Sequence, residues 1–114
     1  MEKIEIKKLD NKIFSRSQFE EAAYLLKAIS HETRLCVIMK LTKSGELSVG
    51  ELQDGMECEQ SLLSHHLTDM RAKGILDCHK KGRHNYYSIK DKRISKVLSC
   101  LMECDLNYSE LNLS

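Results

Sequence analysis

The 114-residue chain has no proline, so no rigid linker divides it, and it has neither internal repeats nor a low-complexity tract. No apolar run approaches the length that spans a bilayer, and the opening Met1-Glu-Lys-Ile-Glu-Ile6 is too charged for a signal peptide. A cytoplasmic location with no membrane partner is expected. The five cysteines include no Cys-x-x-Cys pair, which removes the zinc ribbon and the thioredoxin-like centre, and a reducing compartment argues against a disulfide framework. A glycine-rich phosphate loop and a carboxylate pair are also missing. Cys78 and His79 are adjacent, but on a strand neighbours point to opposite faces. An enzyme is not expected, and neither a cofactor nor a metal site is assigned.

Large net charge is lacking too, at +1 overall, but the charge is unevenly placed. Between Arg71 and His84 stand five lysines and arginines against one acid, Asp77, whereas Glu103, Asp105 and Glu110 pull the total back. Attraction to phosphate follows the local field, so this basic stretch is the candidate footprint of a polyanion. At this length one core is expected.

What is present is organised around residues 48–89. Ser48 and Glu51 form a capping box that opens a short helix, and Gly55 stops it. A second helix is expected over about 59–73, with Leu62, Leu63, Leu67 and Met70 as its buried face and Gln60, Ser61, Ser64, His65, Thr68 and Arg71 outward. Short helix, glycine turn and longer helix with a hydrogen-bonding face make the helix-turn-helix pattern, whose second helix enters the DNA major groove. Gly74 closes that helix. Ile75–Lys80 and His84–Ile89 then read as two strands joined at a basic tip, Lys80-Lys-Gly-Arg83, which is a wing. By alternation Tyr87 packs inward with Ile89 and Tyr86 faces out.

Around this unit, residues 1–16 read as a flexible arm, residues 17–106 as the DNA-binding and dimerisation domain, and residues 107–114 as a tail. A first helix is expected from Ser17, boxed by Glu20, with Phe19, Ala22, Ala23, Leu26 and Ile29 on one face. Ser30 would cap the next, which is apolar on nearly every side through Leu35, Cys36, Val37, Ile38, Met39 and Leu41 and is therefore expected to be buried all round. Asp91 caps the last helix, whose stripe is Ile94, Val97, Leu98, Leu101 and Met102. The fold class is mainly α with a two-stranded β wing, a winged helix-turn-helix of five helices. The last stripe has too little to cover it within so small a domain, which suggests a dimer surface.

Five segments in order, His31-Glu-Thr-Arg-Leu35, Gly45-Glu-Leu-Ser-Val-Gly-Glu-Leu52, Gln60-Ser-Leu-Leu-Ser-His-His-Leu67, Arg71-Ala-Lys-Gly-Ile75 and Gly82-Arg-His-Asn-Tyr-Tyr87, resemble the ArsR–SmtB family of bacterial repressors across roughly residues 20–104. The resemblance implies a homodimer through the first and last helices that binds a double-stranded operator and leaves it when an inducer arrives. A twofold protein implies an inverted-repeat operator. Candidate DNA contacts are Gln60, Ser61, Ser64 and His65 on the reading helix, with Arg71, Lys80, Lys81, Arg83 and His84 for phosphate or minor groove. His66, in the position of the family's His-Leu pair, is expected to support the fold rather than to read bases. Glu59 stands where the family has a small polar cap, and its charge would repel a nearby phosphate.

The resemblance is less informative about the inducer. Metal-sensing relatives carry thiolates where Ser48 and Gly50 stand, and another family site needs histidines on the last helix, yet none follows His84. Candidate sensor thiols are Cys36 on the second helix and Cys100 and Cys104 on the last. Three readings stay open for them: response to a reactive sulfur or oxidant species, soft-metal binding, or small hydrophobes in the core. Cys58 and Cys78 read as packing residues. A winged-helix module that binds another protein instead of DNA is the rival to the whole scheme. The polar Gln60, Ser61 and Ser64 count against it, because interface centres favour aromatic and apolar anchors.

Overall fold

The computed structural model of the chain describes residues 6–9 and 12–103. Strands β1 (Ile6–Leu9) and β2 (Lys12–Phe14) pair antiparallel, so strand occupies part of what reads from sequence as a flexible arm. Helix α1 covers Arg16–Ile29. Its cap is Ser15, two residues before the expected Ser17: Gln18 N–H donates to Ser15 Oγ at 3.3 Å, and Ser15 N–H donates to Gln18 Oε1 at 2.7 Å. Glu20, the expected box partner, is drawn off by Arg16 one turn back at 2.7 Å.

Helix α2 (Glu32–Ser44) is likewise capped one residue later than expected, by His31, whose Nδ1 accepts from Thr33 N–H at 3.1 Å. It bridges the molecule. Val37, Ile38 and Leu41 are fully buried, Leu35 and Met39 half-buried, and Cys36 is exposed, so the helix is not covered on every side. Its polar residues tie it to later elements, Lys40 Nζ donating to Leu52 O at 2.9 Å and Thr42 Oγ1 to Ser95 Oγ at 3.1 Å.

Next come β3 (Glu46–Ser48), α3 (Val49–Gln53), α4 (Gln60–Ala72), β4 (Leu76–Lys81), β5 (His84–Ile89) and α5 (Lys92–Glu103). The sheet has three strands rather than the two expected, in the order β3-β5-β4. β3 is too short to show alternation, and Ser48 serves both as its last residue and as the cap of α3. The β4–β5 turn is Gly82-Arg83, where Gly82 at φ 62° takes the left-handed conformation that a tight hairpin demands.

The core is one cluster drawn from every helix and from the sheet. Ile38, Leu41, Leu52, Leu63, Leu67, Met70, Ile75, Leu76 and Leu98 are its largest fully buried members. Each contributes about 1.5–3 kcal/mol by leaving water. Among the described residues no helix is long and apolar enough to cross a membrane. Cys104 and residues 107–114, given above as sensor candidate and tail, lie outside the described residues.

Candidate nucleic-acid interface

Helices α3 and α4 meet across a turn that the sequence specifies in detail. The Ser48–Glu51 box holds the start of α3, with Glu51 Oε1 accepting from Ser48 N–H at 2.9 Å and Ser48 Oγ accepting from Glu51 N–H at 3.2 Å. Those bonds keep the Glu51 carboxyl below the usual carboxylate range. Lys40 also donates to Asp54 O, placing a cation on the carbonyl end of α3. Gly55 turns the chain at φ 79°, and Gln53 Nε2 donates to Cys58 O at 3.0 Å to close it. Glu59 occupies the N-cap of α4 but makes no side-chain cap bond, so the misfit noted in the sequence persists in the fold.

On α4 the exposed arc holds Gln60, Ser61, His65, Thr68 and Arg71, with Ser64 half-buried. The buried arc is Leu63, His66, Leu67 and Met70. Leu62 is therefore misassigned from sequence: it is 49% exposed, and His66, at 6%, takes the inward place. At about 100° per residue, 63, 66, 67 and 70 span one side, while 62 lies on the flank beside 69. Charge and hydrogen bonding set that rotation. Arg34 of α2 donates from Nε to His66 Nδ1 at 2.9 Å and from NH1 to Ala28 O at 2.8 Å, and pairs with Asp69 Oδ2 at 2.7 Å. Lys73 joins Asp69 at 2.8 Å. Lys73 first and Arg34 second hold the Asp69 carboxyl below its ordinary value. The Asp69/Lys73 spacing is a readable i, i+4 pair, but nothing in the sequence indicated the long-range partner Arg34.

Lys80, Arg83 and His84 of the wing are exposed, and none of them forms an ion pair among the described residues; nor does Arg71. Lys81 differs. It pairs with Glu46 of β3 at 2.7 Å and lies over the Tyr86 ring at 5.5 Å. Glu46 also meets His79 at 3.3 Å, and Lys81 is the main reason its carboxyl titrates low. The unexpected third strand thus brings in an acid that neutralises one of the candidate phosphate contacts. Tyr87 is buried and Tyr86 half-buried.

Away from this surface, α1 and α5 leave an apolar cleft of about 570 Å³, lined by Phe14, Phe19, Leu25, Leu26, Ile94 and Val97, with Arg93 and Glu21 paired at its rim at 3.2 Å. Arg93 also binds the Asp91 carboxylate at 2.7 Å, and Asp91 Oδ1 accepts from Arg93 N–H, capping α5 and keeping that carboxyl titrating low. Beyond the cleft Leu101 and Met102 are 74% and 63% exposed. Of the candidate thiols, Cys36 and Cys100 are exposed, whereas Cys58 and Cys78 are half-buried against the core. Among the described residues no group of three histidines, cysteines or acids could hold a metal ion.

The sequence profile of the bacterial regulatory proteins of the arsR family matches residues 31–77. YgaV, a helix-turn-helix transcriptional regulator of Escherichia coli, is 37% identical over 72% of this chain and 83% of its own length. CadC of Listeria innocua, a cadmium resistance regulatory protein, is 34% identical over 74% of this chain and 67% of its own. The solved structure of HlyU from Vibrio cholerae superposes with a TM-score of 0.70 at 32% identity, covering 75% of this chain and 92% of that one; its reduced form gives 0.70 at 31%, covering 78% and 95%. Over three-quarters of its length the chain therefore shares the fold of HlyU. The chain belongs to the arsR family of bacterial regulatory proteins, which makes it a winged-helix DNA-binding transcriptional regulator and not an enzyme.

Proposed function

We propose that the protein is a cytoplasmic homodimeric repressor that binds an inverted-repeat operator and is released when an inducer acts on its cysteine thiols. The observation that carries the operator reading is the presence of two exposed surfaces, the polar arc of α4 and a wing whose Lys80, Arg83 and His84 form no ion pair among the described residues. Gln60, Ser61, Ser64 and His65 are the base readers, and Arg71, Lys80, Arg83 and His84 the phosphate or minor-groove contacts. Lys81 joins that second group only as it exchanges Glu46 for phosphate. Gln60→Ala is expected to lower discrimination between operator and scrambled duplex by about 1–3 kcal/mol. Arg83→Ala is expected to weaken both complexes alike and to reduce the salt slope by about one. Titrations of both variants at several salt concentrations check this; equal, sequence-blind losses from Gln60→Ala would contradict the assignment.

For the dimer, the support is the uncovered face of α1 and α5, where Leu26, Val97, Leu101 and Met102 are each about half exposed or more. For the inducer, the support is that Cys36 and Cys100 lie on two different helices and both residues are exposed, as reactivity requires and core packing does not. A relative, HlyU, has been solved in a form named reduced, a distinction that matters for a protein with an oxidisable state. Modification of Cys36, Cys100 or Cys104 is expected to cost operator binding about 1–3 kcal/mol, the common scale of coupling between sites. Operator affinity before and after persulfide and peroxide treatment, with masses recorded, tests it. A Cys36→Ser, Cys100→Ser, Cys104→Ser variant that responds as the wild type does would eliminate thiol sensing. The likeness to CadC, named for cadmium resistance, keeps a soft-metal inducer as the second reading, and a cadmium arm in the same titration separates the two.

A further inference from the structure

We infer that Arg34 and His66 are positioning residues for DNA binding: the Arg34 guanidinium clamps α4 in its reading pose only while the His66 imidazole is neutral, which makes operator affinity sensitive to acid. The inference rests on the operator-binding reading above. Its basis is geometric. One guanidinium, its side chain 13% exposed, reaches three groups on two other helices, taking the Ala28 carbonyl at the end of α1 and both the His66 ring and the Asp69 carboxylate on α4. Ala28 O is among the last four carbonyls of its helix, which have no partner within the helix itself. Arg34 therefore fixes both where α4 lies and how it is rotated, and the rotation decides that Gln60, Ser61 and His65 face out.

The proton inventory at His66 follows from the donor. Arginine has no acceptor, so Nδ1 must be the bare nitrogen that receives Arg34 Nε–H, and the ring proton sits on Nε2. That Nε2 is buried and has no hydrogen-bond partner among the described residues. A second proton would have to go onto Nδ1, where it would face an N–H donor and a cation at 2.9 Å. The clamp must then open. From α2 the groups facing His66 are Arg34 and His31, whose ring lies 4.5 Å away centre to centre; from α4 they are His65 and Asp69. Asp69 alone favours the charged ring. Burial first, then Arg34, His31 and His65, hold the His66 pKa below its ordinary 6.5. The contribution is thus complete above that ordinary value and is lost as the pH falls through the lower value in the fold.

An opened clamp whose histidine titrates at the ordinary value is favoured by up to about tenfold more at pH 5.5 than at neutral pH, the limit in which the clamped ring takes up no proton. Exposed His65, His79 and His84 stand outside the clamp on the same protein, so wild type alone cannot be read. The test compares full-length wild type with His66→Asn, whose amide oxygen lies near the accepting nitrogen and does not titrate, with His66→Gln in reserve if folding fails. The probe is the operator recovered from a randomised duplex pool. Wild-type affinity relative to His66→Asn is expected to fall about three- to tenfold between pH 7.5 and 5.5, and the difference is expected to vanish when both carry Arg34→Gln. A ratio that stays flat with pH, or an imidazole resonance showing that His66 titrates at or above the ordinary histidine value, overturns the clamp while leaving operator binding intact. Failure of the wild type to select any duplex overturns both.

Discussion

Replacing both Val97 and Leu101 with glutamate is expected to hold the protein as single protomers and to lower its affinity for a palindromic operator by about 10²–10⁴-fold. Val97 and Leu101 lie on the outward side of α5, 48% and 74% exposed, while Ile94 and Leu98 of the same helix are at 2% and 1% and pin it to the core. The stripe read from sequence as one face is thus divided by the fold into an inner half that stabilises the protomer and an outer half that has no partner among the described residues. Two carboxylates on the outer half leave the inner contacts intact but cannot be buried against a second copy without a large desolvation cost. A protomer reaches only one half-site, and the loss is that of the second, tethered contact rather than of any base contact. Sedimentation equilibrium, circular dichroism and operator titration on one preparation check the three parts. A folded variant that still sediments as a dimer, or that binds the full operator as wild type does, would sink the assignment of this face.

How far the sequence carried follows the range of the interactions. Elements fixed by local chemistry were legible: the Ser48–Glu51 box, the Gly82 turn and the Asp91 cap all rest on partners within a few residues, and the inward Tyr87 follows from strand alternation. Local competition moved boundaries, as where Ser17 with Glu20 reads as the box but Ser15 takes that role with Gln18 while Arg16 holds Glu20. Long-range partners were not legible. Lys81 looked like a free cation until β3 placed Glu46 beside it, and α2 looked buried all round until packing left Cys36 in solvent. On the reading helix the polar arc was read correctly for Gln60, Ser61, His65 and Arg71, yet a count of apolar letters put Leu62 inside, because hydrophobicity alone cannot say that a histidine takes the inward place when an arginine waits to satisfy it.

That exchange gives two neighbouring leucines opposite expectations. Leu63→Ala is expected to destabilise the protein by about 2–5 kcal/mol, since a fully buried side chain loses its transfer energy and leaves a cavity that Leu52, Leu67 and their neighbours fill only in part. In a domain whose whole margin is about 5–15 kcal/mol, that loss lowers the melting temperature by more than about 10 °C. Leu62→Ala, one residue away and half in water, is expected to change stability by no more than about 0.5 kcal/mol. Urea unfolding of both variants at one fixed protomer concentration removes the contribution of association and compares them directly. Equal losses would mean that α4 is rotated toward the arc its apolar letters suggest. In that case Leu62 would be inside, His66 would be freed from Arg34, and Gln60 and Ser61 would no longer stand where a base edge can be read. The stability of two adjacent leucines therefore reports on the rotation of the helix on which recognition depends.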